Sequence, residues 1–145
     1  MLRFRFEVNE GFNPEAETPQ ADVALSVQRT PVENASASVA VTCSIFREEQ
    51  PNRPFWCDVV YQAKLSVPSS DQVDALREFS RSAAAGVIVP YIRESIANAS
   101  VRAGFPPLVL PPVNISTLME EAHEPSSPTG EHRAHFNAAR AQDFV

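Results

Sequence analysis

Cysteines, histidines and carboxylates are the residues in this chain with the means to do covalent, acid–base or metal chemistry. Cys43 and Cys57 are the only cysteines in 145 residues. Two thiolates cannot close a tetrahedral zinc site alone. Both fall on one predicted face of adjacent strands, where a thiol in a reducing compartment serves as a small apolar side chain. His132 and His135 stand at i, i+3 beside Glu131, and His123 lies upstream of them. That stretch is polar and has no core of its own, a poor scaffold for a metal ion. Four scattered glycines cannot build a phosphate-binding loop. No Ser, His and Asp set stands on recognisable nucleophile turns. The pattern gives no reason to expect an enzyme, a metal or a cofactor.

What remains is noncovalent chemistry. Phe46 and Trp56 break the alternation of the segments that hold them, placing large rings on the nominally polar side of a hairpin. Phe12 lies in a connecting segment. Aromatic rings outside the core face can form an apolar binding surface. The alternative is local packing under a neighbouring loop, since single exposed aromatics are common.

Four period-two segments must position these rings. Leu2, Phe4, Phe6 and Val8 share one face of the first, and Val23, Leu25 and Val27 one face of the second. Val39, Val41, Cys43 and Ile45 align in the third; Phe55, Cys57, Val59, Tyr61, Ala63, Leu65 and Val67 align in the fourth. This is the pattern of half-buried strands. Segment 9–21, with Pro14 and Pro19, reads as a crossover rather than a tight turn. The polar 47–54 link predicts an antiparallel hairpin between the third and fourth strands.

After Pro68 the period becomes helical. Ser69 and Gln72 match a capping box, and a long helix is expected to run to Arg102, stop at Gly104 and kink or break at Pro90. Its apolar residues lie on two faces, Val87, Tyr91 and Ile96 on one and Ile88 and Ile92 on another. That is more than one sheet can cover, and it hints at a subunit interface. A proline-rich run (105–113) follows, and then a short helix capped by Asn114 or Ser116 and carrying Leu118 and Met119. Residues 124–145 are poor in apolar residues and read as a disordered tail. A sheet followed by helices makes residues 1–123 one α+β domain.

The formal net charge of −6 excludes the basic footprint of a nucleic-acid binder and disfavours anionic membranes. Thirteen prolines stiffen the connections. The N-terminal MLRFRFEVNEGF has neither a long apolar core nor a cleavage site, and no run reaches the ~18 apolar residues of a membrane span. A cytoplasmic protein without direct membrane insertion is expected.

Val-Pro-Tyr-Ile-Arg-Glu (89–94), Gly-Phe-Pro (104–106) and Leu-Val-Leu-Pro-Pro-Val-Asn (108–114), followed by Leu118, resemble the SecB export-chaperone family in order and spacing. Phe-Trp-Cys-Asp-Val (55–59) looks like that family's last strand. The chain departs at Val89, where the family has Phe, at Gly-Val-Ile (86–88), and in its final residues.

The resemblance implies a four-stranded antiparallel sheet with a crossover loop, one long helix and a shorter C-terminal helix. It also implies a homotetramer, a dimer of dimers, with Val87, Ile88, Tyr91, Ile92 and Ile96 in the oligomer interface. Grooves would hold unfolded polypeptide clients without ATP, by apolar contacts and some backbone pairing. The expected groove residues are Phe12, Phe46, Trp56, Val60, Leu108, Leu110, Leu118 and Met119. Asp58 matches an acidic residue that docks the SecA motor, and Trp56 fills its apolar neighbour's place. The alternative to general export is a specialist that protects one antitoxin in a toxin–antitoxin system.

Overall fold

The computed structural model describes residues 1–16, 21–122 and 134–137. The four alternating segments are strands: β1 (Arg3–Val8), β2 (Asp22–Arg29), β3 (Ser36–Ile45) and β4 (Phe55–Ser66). They lie in the order β1-β4-β3-β2, every neighbour antiparallel. β1 and β2 are consecutive in sequence yet far apart in the sheet, so the chain between them is a crossover. Its start is tied to the β3–β4 turn: the Asn9 side-chain amide donates to the Arg53 carbonyl at 2.8 Å, and the Asn13 N–H to the Asn52 side chain at 2.8 Å. The β2–β3 hairpin turns on Asn34 and Ala35, both in the left-handed region at φ 50° and 56°. Glu33 and Ser36 exchange backbone hydrogen bonds of 2.9 Å around them. Two positive φ angles in a two-residue loop match the twist of the flanking strands.

The inward positions make the core. Val39, Val41, Cys43, Ile45, Phe55, Cys57 and Val59 are fully buried, and Val23, Leu25 and Val27 nearly so. Phe55 is the centre of an aromatic group. It stacks on Phe6 at 4.8 Å, meets Phe46 edge-on at 5.2 Å and lies 5.4 Å from Phe105. Leu2 and Val8, at the ends of the first alternating segment, are exposed.

The helical region differs from the expected single helix. A 3-10 turn (Ser70–Gln72) leads into α1 (Val73–Ser82), and α2 (Ala84–Arg102) follows. The break is at Ala83 (φ −134°), not at Pro90, which α2 carries on its exposed side. Two serines explain the position. Ser80 donates its hydroxyl to the Arg77 carbonyl at 2.9 Å and Ser82 to the Glu78 carbonyl at 2.8 Å. Such back-bonds compete with the main-chain ladder and bend helices. Ser69 makes no side-chain cap, so the capping box does not form. The end at Gly104 is as expected. With Gly104 at φ 85°, its N–H donates to the Val101 carbonyl and the Phe105 N–H to the Ser100 carbonyl, a Schellman closure.

The proline-rich run returns beneath α2 with Leu108 and Leu110 buried and Val109 exposed. It leads to α3 (Ile115–Glu120), capped by the Asn114 side chain, which accepts from the Thr117 N–H at 3.2 Å. A fifth strand, β5 (Ala134–Asn137), pairs antiparallel with β2 on the edge away from β3. It falls within residues 124–145, expected to be a disordered tail. The rest of that stretch, with Glu131 and His132, and His123 just before it, lie outside the described residues. The result is an α+β fold: an antiparallel sheet with its helices on one face.

Candidate functional site

The outer face of the sheet carries the even-numbered residues of β2, β3 and β4. Small side chains, Ala24, Ser26, Ala40, Thr42 and Ser44, leave it shallow. Near one end Asp22, Ala24, Ser44, Trp56, Asp58 and the 46–49 turn enclose a hollow of about 290 Å³. Trp56 is half-buried there, and Val60 lies further along β4 on the same face.

Asp58 is not the solvated carboxylate that strand alternation suggests. It is 8% exposed, paired with Arg3 at 2.7 Å, and accepts a hydrogen bond from the Ser44 hydroxyl at 3.0 Å. Phe46 also departs from expectation. At φ 55° its backbone leaves the strand conformation, and the ring turns inward onto Phe55, with only 2% of its surface exposed. Phe12 is half-buried in the crossover, its N–H bonded to the Asn9 carbonyl.

The other expected groove residues lie on the opposite side of the sheet. Leu108, Leu110, Leu118 and Met119 belong to the core cluster. The eight residues therefore do not form one surface in this chain: Trp56 and Val60 face outward, whereas the Leu and Met set packs between sheet and helices. Two side chains missed by sequence reasoning fix that set. Ser100, fully buried, accepts from the Leu108 N–H at 2.9 Å while donating to the Ala97 carbonyl. Arg93 donates to the Pro111 carbonyl at 2.8 Å. Together they clamp the proline-rich run to α2. A buried serine one turn before a helix-ending glycine was the available signal for the first.

α2 divides its apolar residues between two environments. Ile88, Ile92 and Ile96 are buried against the sheet, which corrects their expected place in an oligomer interface. Val87, Tyr91 and Val101 are half or more exposed. Tyr61 ties this side of α2 to β4, its ring stacked 6.2 Å from Tyr91 and its hydroxyl 2.6 Å from that of Ser95. A second apolar groove runs between β1 and α2, lined by Met1, Phe4, Phe6, Val8 and Ala99 among others.

Burial raises both thiols well above the ordinary range, with Asp58 adding to the effect. Cys57 rises to about 12, and Cys43, which Cys57 also disfavours as a thiolate, goes higher. Among the described residues no group of three or more His, Cys, Asp or Glu is placed to hold a metal, and no helix is long and apolar enough to cross a membrane.

The family model described as preprotein translocase subunit SecB matches residues 5–125. The protein-export protein SecB of Acidovorax sp. (strain JS42) is 31% identical over 111 residues, which cover 74% of this chain and 71% of that protein. That of Aromatoleum aromaticum is 30% identical, covering 72% of this chain and 65% of the relative. In fold, the chain is similar to a SecB-like chaperone of Mycobacterium tuberculosis solved in complex with a peptide from an antitoxin. The TM-score is 0.55 at 18% identity, covering 78% of this chain and 85% of the other.

Proposed function

The chain belongs to the SecB family of chaperones, and we propose that it works as a cytoplasmic holdase that keeps unfolded precursors export-competent without ATP. The observation that carries this reading is the family match over residues 5–125 together with the apolar surface the fold leaves uncovered. An unfolded client exposes apolar segments that a folded protein hides. A shallow apolar surface takes them with little sequence preference, so selection is for the unfolded state itself.

Client contacts are assigned to the rim of the buried Leu108, Leu110, Leu118 and Met119 cluster, where exposed Val109 and half-buried Phe105 mark the accessible margin. The outer hollow with Trp56 is the proposed dock for SecA. There Asp58 acts mainly by holding Arg3 and Ser44, so Trp56 carries more of the contact than the carboxylate does. Oligomerisation, as a tetramer, is assigned to the exposed side of α2. Val87, Tyr91, Glu94, Asn98 and Val101 are spaced 4-3-4-3 and all exposed, the spacing of a helix-pairing seam. Several sites on one particle then bind one chain repeatedly, so that weak contacts add through effective concentration.

The second reading is a specialist that holds one antitoxin. The antitoxin peptide bound by the similar Mycobacterium tuberculosis chaperone favours it, and so does the engagement of Asp58 within the sheet. Light scattering of the protein with an unfolded secretory precursor, with the same precursor folded, and with SecA separates the readings. Stable complexes with the unfolded chain alone, released to SecA, support general export. Binding of the unfolded precursor without any SecA contact weighs against export, and no binding of the precursor refutes general export; binding of an antitoxin peptide in that case supports the specialist, and its failure refutes both.

A further inference from the structure

β2 is the edge of the four-stranded set, and an edge strand offers a row of backbone N–H and C=O groups as a template for another strand. The occupant here is the chain's own β5. Asn137, Phe136, His135 and Ala134 pair with Asp22, Val23, Ala24 and Leu25. We propose that Ala134–Asn137 is a built-in competitor: it holds the β2 edge as a substitute client strand, and an extended segment of an unfolded polypeptide must displace it to bind there. This rests on the holdase reading and adds to it a site and its control.

Three observations carry the proposal. First, β5 is short. It covers four residues of an eight-residue strand, and among the described residues no strand pairs with Ser26, Val27 and Gln28 on that side. A longer incoming segment gains backbone bonds that β5 cannot make. Second, β5 is a weak strand, since Ala and Asn are depleted in sheets. It is therefore easier to displace than a strand rich in Val or Ile. Third, its pattern is that of a client. Apolar Phe136 and Ala134 stand in register with the core-facing Val23 and Leu25, and polar His135 and Asn137 with Ala24 and Asp22. Any extended segment with apolar residues at alternate positions meets the same register, and such segments are hidden in folded proteins. Because β5 is tethered to α3 through residues 121–133, it competes at an effective concentration set by that link rather than by protein concentration.

The test uses the full chain and its Phe136→Pro variant, since a proline in β5 removes a ladder donor. Both are titrated with a fluorescent polypeptide kept unfolded by reduction and alkylation, and with its native form. Melting temperatures of the wild type and the variant are compared alongside, so that a loss of the fold is not read as a loss of β5. Ala134→Pro is the second variant. If β5 holds the edge nine-tenths of the time, both variants bind the unfolded probe about tenfold more tightly. Amide exchange over residues 21–27 speeds up in the variants and slows again when probe is added. Equal or weaker binding by both variants, or unchanged exchange in β2, overturns the competitor. Failure of every form, wild type included, to bind the unfolded probe overturns the holdase reading instead.

Discussion

Arg3 reaches diagonally from β1 to Asp58 on β4, and with the Ser44 hydroxyl it completes the partners of a carboxylate that the sheet has taken out of solvent. Arg3 itself is half exposed, so its charge remains hydrated while that of Asp58 is not. Arg3→Ala leaves the buried carboxylate with one hydrogen bond and should cost about 1–2 kcal/mol in urea unfolding. Asp58→Asn keeps the shape and the Ser44 contact and should cost less. Asp58→Lys would confuse docking with folding, because it sets a second cation beside Arg3. The buried thiols make a separate prediction. Their folded pKa values lie above the unfolded value of 9.0, at about 12 for Cys57. Below pH 9 both states hold the proton and stability is unaffected. As pH rises from 9 towards 12 the unfolded chain loses the proton first, so stability falls. Melting temperature should drop across that window, with a shallower slope in Cys57→Ala. Native protein at pH 8 should not react with a thiol reagent until it is unfolded.

At the scale of elements, the proline-rich run is held by side chains rather than by regular pairing. Ser100→Ala strands the Leu108 N–H in the core, and the expected cost is about 1–3 kcal/mol. Faster exchange of the Leu108 amide would check the mechanism directly. The four strands were legible in sequence because each buries one face, and Val39, Val41, Cys43 and Ile45 declare that face by strict alternation. Asn114 and Gly104 declared helix ends because each has a conformational reason to stand there. The break at Ala83 was not legible: it comes from two serine hydroxyls turning back on their own helix, and Pro90 is a louder but misleading signal. Phe46 was misplaced because alternation assumes that the strand continues, whereas a left-handed residue ends it. β5 was missed because a four-residue stretch, with Ala134 and Asn137 of types depleted in sheets, says nothing until β2 supplies its partner.

For the whole molecule, the question is which apolar residues of α2 are free to meet another chain. Ile92 looked as suitable as Tyr91 in sequence, since periodicity shows that a helix has two apolar faces but not which one the sheet takes. The fold gives Ile88, Ile92 and Ile96 to the sheet and leaves Val87, Tyr91 and Val101 outside. A seam of Val87, Tyr91 and Val101 has apolar ends, with Glu94 and Asn98 between them. Polar residues in such a seam fix register at some expense of stability. The double substitution Val87→Asp, Tyr91→Asp should therefore reduce the particle, four times the 15.9 kDa chain mass if it is a tetramer, to smaller species that keep the circular dichroism of the folded protein. Ile92→Asp should behave differently: a carboxylate forced into a fully buried position unfolds the chain, and any change in its mass would report unfolding or aggregation rather than an interface. Light scattering of both variants distinguishes the two roles. An unchanged mass in the Val87, Tyr91 variant would move the subunit interface away from α2, to the uncovered groove between β1 and α2 or to the sheet edge. It would also remove the basis proposed above for one client binding at several sites on one particle.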